Sequence, residues 1–225
     1  MRRNWWKILC CILLIYAIIA GFSVEVPELP VVEQTIRNIF FHVGMWFTMI
    51  VLLLVSLIYS IKFLKNNELN NDIAANELVN VGIVFGIIGI VTGMIWAKFT
   101  WGVFWTNDPK LNGAAVGLIS YLAYKVLRSS VEDEFKKARI AAVYNIFAFV
   151  LYIVFILILP KTANYSIHPG NDGSPAMVPA ELDSNMRYVF YPAMIGWILL
   201  GVWIASIRIR ISKLKKAIAE MPLKK

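Results

Sequence analysis

The sequence predicts an all-α, polytopic membrane protein of about six transmembrane helices with both termini in the cytoplasm. Three observations predict it. Of the 225 residues, 59% are apolar and 16% charged, with mean hydropathy +0.67, whereas soluble domains carry about a quarter charged residues. The apolar residues gather into runs of roughly 17 to 23, each able to cross about 30 Å of hydrocarbon as a helix. Lysine and arginine, finally, divide unevenly between alternate connections.

The runs are Ile8–Val24, Ile39–Ile61, Leu78–Ala97, Leu111–Leu127, Ala138–Leu159 and Tyr188–Ile207. None shows the sustained period-2 alternation of a membrane strand, and lipid leaves the edges of an open sheet unsatisfied. The fourth is the most polar, diluted by Asn112, Ser120, Tyr121 and Tyr124. The first also fits a secretory leader, with Met1–Lys7 as its basic start and Gly21-Phe22-Ser23 as a cleavage site. Cys10 and Cys11 read as two small buried hydrophobes, since adjacent helical residues point about 100° apart.

Six spans place both termini on one side. Seventeen of the 22 Lys and Arg then fall on the terminal side, with Arg37, Lys98, Lys110, Lys161 and Arg187 opposite, while the 14 acidic residues split evenly. That asymmetry assigns the termini to the cytoplasm. The formal charge of +8 is thereby a record of orientation and of attraction to the lipid bilayer, and nucleic-acid binding is excluded as a reading.

Within the membrane, Gly82, Gly86, Gly89 and Gly93 form one helical stripe on the third span. The fourth offers Gly113, Ala114, Gly117 and Ser120, so the two are expected to pack as a tight hairpin whose outer tip is residues 98–110. The cytoplasmic connections are short and polar, and Glu132, Asp133, Glu134, Lys136 and Lys137 read as a surface helix with paired charges. Outside, Leu29, Val32, Ile36 and Ile39 recur at three and four, which predicts a short amphipathic helix on the outer interface. The longest connection, residues 160–187, is punctuated by Pro169, Gly170, Gly173, Pro175 and Pro179, and a connection of that length is expected to be functional or disordered.

Two histidines exist, His42 about one turn into the second span and His168 in the long outer connection, so the topology places both on one side. Imidazole is costly in lipid, and an intramembrane histidine is a functional candidate by default; a hydrogen bond from His42 to a neighbouring helix and a solvated His168 would account for the same facts. The segment Trp96-Ala97-Lys98-Phe99-Thr100-Trp101-Gly102-Val103-Phe104-Trp105-Thr106-Asn107-Asp108-Pro109 packs aromatics more densely than interfacial anchoring requires. Such a run reads as a flat apolar platform for a large planar ligand.

That segment resembles the tryptophan-rich signature of the cytochrome c assembly proteins that handle haem, approximately W-G-x-x-W-x-W-D. Trp101, Gly102, Trp105 and Asp108 match it, while Phe104 and Asn107 stand where related sequences often carry tryptophan, leaving the platform smaller at one point and more polar at another. A histidine after an amphipathic outer segment and a second before the last span extend the resemblance. Length and span count are similar to the shorter branch, haem exporter protein C; the longer branch, cytochrome c biogenesis protein A, has further spans and transmembrane histidines that this chain lacks.

The resemblance implies that His42 and His168 ligate haem iron from opposite faces as a b-type centre, and that Trp101, Phe104 and Trp105 cover the porphyrin. Asp108 either caps the fourth helix ahead of Pro109 or accepts hydrogen bonds that fix the loop. Arg37 and Arg187 are candidates for the propionates, with snorkelling to the interface as the competing account. It further implies one haem-handling unit over residues 1–225, set in a bacterial cytoplasmic (inner) membrane with its site extracytoplasmic. Haem is transient cargo there, delivered to a periplasmic haem chaperone or apocytochrome c, and ABC-type and small membrane subunits are the implied partners. The expectation leans to a delivery factor rather than an enzyme. A cytochrome b-like electron-transfer subunit or a small-molecule permease are the alternatives; the first needs four axial ligands for two haems, and the second charges or broken helices near the midplane.

Overall fold

The computed structural model describes residues 4–27, 33–163, 166–168 and 182–221. Within them the chain is helical: α1 (Trp5–Ser23), a 3₁₀ segment (Glu33–Asn38) leading into α2 (Ile39–Asn66), α3 (Leu69–Trp101), α4 (Pro109–Ser129), α5 (Glu134–Ile153), a π-helical turn (Val154–Ile158), the short α6 (Leu159–Thr162) and α7 (Ser184–Ala219). Five of these stretches are long and apolar enough to cross a membrane. The 21-residue α4 is long enough, at about 1.5 Å per residue, but more polar. Its Tyr121 and Tyr124 are buried, so two of the residues that dilute its hydropathy face the bundle instead of lipid.

Local chemistry sets the boundaries. Asn67 ends α2 in the left-handed region (φ 55), and the next residues turn straight into α3. Gly102 ends α3 the same way (φ 78), a conformation that glycine adopts without a Cβ penalty. Asp108, Asp133 and Asp183 cap α4, α5 and α7, each accepting from a backbone N–H in the first turn. Thus Asp133 and Glu134 open α5, whose largely exposed first turn carries Lys136 and Lys137, and Glu134 pairs with Lys216 of α7. Arg37 donates to the carbonyls of Gly21 (3.0 Å) and Val24 (2.6 Å), satisfying backbone acceptors at the end of α1.

The hairpin of α2 and α3 is the spine, with α1 and α7 along one side and α4 and α5 along the other. Trp6 meets Trp203 edge-on at 6.2 Å and Cys10 reaches the Gly196 carbonyl, so α1 and α7 run antiparallel and the two termini share one end. The expected tight pairing of α3 with α4 through glycines is not what forms. Added Cβ atoms on the stripe would meet α2 side chains: Leu53 at Gly82, Met49 at Gly86, Trp46 at Gly89 and His42 at Gly93. The stripe is a furrow that receives the bulky side chains of α2, and α4 touches it through Leu118 at Gly86. Gly113 and Gly117 of α4 face Phe155 and Tyr152 instead, because α4 packs on α5 and the π-turn.

Two further expectations are refined. The outer connection after α1 carries a 3₁₀ segment, with Ile36 and Ile39 buried; Leu29 and Val32 lie outside the described residues. The aromatic segment is partly helical, since α3 continues to Trp101. In the long connection, 169–181 also lie outside them.

Lipid tails are as apolar as leucine, so packing and buried polar contacts hold the helices to one another. Asn145 of α5 donates to both Ser56 and Ser60 of α2 (2.8 Å each), and Ser56 donates to the Ala75 carbonyl of α3. Nearer the termini, Arg128 of α4 forms two parallel hydrogen bonds with Asp72 of α3. Glu77 accepts from Arg208 (2.7 Å) and Ser212 (2.9 Å) of α7.

Candidate functional site

At the end opposite the termini, α2, α3 and α4 line a cleft that is partly open to its surroundings and walled mostly by apolar side chains. His42, Trp46, Gly89, Gly93 and Trp96 form the wall from α2 and α3. Trp101, Trp105, Lys110 and Ala114 form the opposite wall, with Ile156 of the π-turn and His168 completing it. Bulges of this π kind favour functional sites because they re-aim helical side chains.

The two histidines, 126 positions apart by their numbers 42 and 168, come together with ring centroids 6.4 Å apart and planes inclined by 39°. His42 is 6% exposed. Its ring sits edge-on to Trp46 (6.3 Å) and Trp96 (5.8 Å); His168 contacts Trp96 (6.3 Å) and Trp101 (6.4 Å). The furrow makes this possible, since a Cβ on Gly93 would stand 2.8 Å from His42 Cε1.

Thr92 is the side-chain hydrogen-bond partner of His42. Thr92 Oγ1 lies 2.8 Å from the Ile88 carbonyl and 3.1 Å from that of Gly89, and 3.1 Å from His42 Nδ1. When the single hydroxyl hydrogen goes to one of these carbonyls, the oxygen lone pair is left for the ring. By that pattern Nδ1 carries the proton and Nε2 keeps its lone pair, the tautomer that a metal-ligating imidazole needs. Thr92 was not singled out by its sequence, in which it is one hydroxyl within an apolar run.

Other residues named from the sequence occupy different places. Trp105 donates to Asn112 Oδ1 (3.2 Å), and Asn112 donates to Asn107 Oδ1 (2.7 Å), which fastens the aromatic segment to α4. Phe104 is half exposed beneath the Lys98 ammonium and does not line the cleft, whereas Trp46 and Trp96 do. Arg37 and Arg187 also lie off its walls, and Arg187 donates to the Leu182 carbonyl (2.7 Å). Lys110 is the cation on the wall itself. Asp108, 1% exposed, both caps α4 and accepts a hydrogen bond from Ile167 N–H, joining the two roles its sequence left open.

Nowhere among the described residues do three His, Cys, Asp or Glu side chains gather, as a bare transition-metal site with three or four protein ligands would need. Two neutral imidazoles suit a metal whose other positions a macrocycle fills. Against known sequences, residues 2–224 match the family described as Heme exporter protein C. The chain belongs to the haem exporter protein C family. Similar proteins include the Heme exporter protein C of Paracoccus denitrificans (strain Pd 1222), 29% identical over 191 residues covering 83% of this chain and 77% of that protein. The protein of the same name from Escherichia coli (strain K12) is 26% identical over 184 residues, covering 77% of this chain and 69% of its own. Cytochrome c biogenesis protein CcsA of Pelargonium hortorum is 31% identical over 93 residues, 41% of this chain and 29% of that protein. Two facing histidines and four tryptophans on the walls of the cleft are a donor set and an apolar lining compatible with a porphyrin.

Proposed function

We propose that the protein handles haem for cytochrome c maturation, holding it as transient b-type cargo between His42 and His168 at the extracytoplasmic face of the bacterial inner membrane. The observation that carries this reading is the pairing of the chain's two histidines at 6.4 Å. Imidazole nitrogens lie about 2 Å from a first-row metal, so two rings that bind one ion from opposite sides have centroids about 6 Å apart.

The chain's own residues would do the rest. Trp101 and Trp105 offer apolar faces to the porphyrin, with Trp46 and Trp96 supporting the histidines from behind. Phe104 adds aromatic surface at the rim. Arg37 would have to leave the Gly21 and Val24 carbonyls to reach a propionate, and Arg187 the Leu182 carbonyl; Lys110 already stands on the wall. His42 is fixed within α2, whereas His168 is carried on the connection between α6 and α7, so local opening can free one axial bond while the helices stay folded. That asymmetry suits delivery to a periplasmic haem chaperone or apocytochrome c, with the other membrane subunits of a maturation system as partners.

The test is the absorption spectrum of detergent-purified protein from a haem-replete host, with His42→Ala and His168→Ala alongside. Six-coordinate low-spin haem in the wild type, and its loss or conversion in each variant, is the expected result. Protein that stays haem-free despite ample supply refutes the reading, and unchanged spectra in both variants refute the ligand assignment. Transfer to a purified chaperone then separates delivery from electron transfer.

A further inference from the structure

Resting on that reading, we propose that Asp108 is a positioning residue for His168: it holds the backbone that carries the second axial ligand and does not itself touch haem.

A helix cap needs a single acceptor, and serine, threonine or asparagine serves as well as aspartate. Asp108 uses both oxygens. Oδ1 accepts from Lys110 N–H of the first turn of α4 (2.8 Å), and Oδ2 accepts from Ile167 N–H (2.8 Å). Ile167 directly precedes His168, whose own N–H donates to Ser166 Oγ (3.2 Å). One buried carboxylate thus pins the end of the aromatic segment and the histidine-bearing segment to the same point, 59 residues apart in sequence.

The arrangement argues against contact with the cargo. Both oxygens are engaged, Asp108 is 1% exposed, and it does not line the cleft; an anion beside a haem propionate would also repel it. What the carboxylate supplies is register. His168 also contacts Trp96 and Trp101, and the charge-assisted bond to Ile167 N–H is what ties its backbone to the head of α4. Asparagine distinguishes the two jobs. Its one carbonyl oxygen can cap α4, but its amide would turn a donor toward the Ile167 N–H.

The test compares the haem-loaded full-length wild type with Asp108→Asn, Ile167→Pro and His168→Ala, read by absorption and electron paramagnetic resonance. Ile167→Pro deletes the donor and leaves Asp108 free to cap. Both Asp108→Asn and Ile167→Pro are expected to keep haem on His42 and to lower the six-coordinate low-spin fraction about tenfold or more. Their spectra should match that of His168→Ala, added imidazole should restore the low-spin form in all three, and helix content should equal the wild type. A wild-type spectrum in a folded Asp108→Asn, or in Ile167→Pro, overturns the proposal, as does haem loss that imidazole does not rescue. Should Asp108→Asn fail to fold, Ile167→Pro decides alone. If His168→Ala itself keeps the wild-type spectrum, the ligand assignment has failed, an outcome distinct from failure of the positioning role.

Discussion

At the end that carries the termini, three ion pairs join side chains on different helices, Arg128 to Asp72, Arg208 to Glu77 and Lys216 to Glu134, with Asp133 capping α5 beside them. At the opposite end charged side chains bind chiefly backbone, although Arg37 also donates to Gln34 Oε1 within its own segment. Arg37 donates to Gly21 and Val24, Lys98 to Gly102 and Arg187 to Leu182, while Asp108 and Asp183 accept from peptide N–H groups. The first arrangement ties helix to helix and makes a scaffold. The second spends its charges on helix ends and connections, which leaves the cleft between them apolar apart from its histidines and Lys110. Stability and cargo chemistry are therefore separable, and substitutions at the two ends should report on different quantities.

The largest expected effect is at the scaffold. Arg128→Ala strands the buried Asp72 carboxylate and should lower stability by about 3–5 kcal/mol in detergent unfolding, while protein that survives keeps its haem spectrum. A changed spectrum would break the separation. Second comes Thr92→Val, nearly isosteric, which removes the acceptor that sets the His42 tautomer. A 10–100-fold loss of haem affinity is expected at about that scale for outer-shell partners, with a modest fall in melting temperature because a buried ring N–H loses its partner; intact affinity in the folded variant would make Thr92 a packing residue. Third, Arg37→Ala leaves two carbonyls without their donor and should cost about 1–2 kcal/mol, with haem titration unaltered. Weaker haem binding would show instead that Arg37 turns to a propionate. The smallest is Trp105→Ala, for which the lost aromatic surface corresponds to about threefold weaker haem binding, read by the same titration.

Much of this was legible in the sequence, for reasons that differ between residues. Helices were visible because lipid demands uninterrupted apolar runs, and α4 looked diluted because its tyrosines face inward, which a hydropathy average cannot register. The histidines were conspicuous through scarcity, and the aromatic segment because its density exceeds what an interface needs. Partnership was harder to read. A glycine stripe says that something approaches closely without saying which helix, so the neighbour proved to be α2 and the approaching groups side chains. Arg37 stands five residues from His42 in sequence, yet its guanidinium turns toward the end of α1. Trp96 opened the aromatic segment without being given a place in the site, and Trp46 belongs to a span in which tryptophan also serves as an interfacial anchor, so nothing local marked it as a wall of the cleft. Thr92 and the Asp108–Ile167 bond depend on which carbonyls and N–H groups folding brings alongside, information spread over 50 and 59 positions.

The furrow on α3 has a consequence for how such a site is mapped. Its shape is written in atoms that Gly82, Gly86, Gly89 and Gly93 lack, so truncation, the usual way of asking what a side chain contributes, has nothing to remove there. Replacing them with alanine inserts matter into space already claimed by Leu53, Met49, Trp46 and His42. A systematic alanine survey of this helix would therefore be two experiments in one, erasing contacts at most positions and wedging the walls apart at four, and its results would need to be sorted by that sign before being compared.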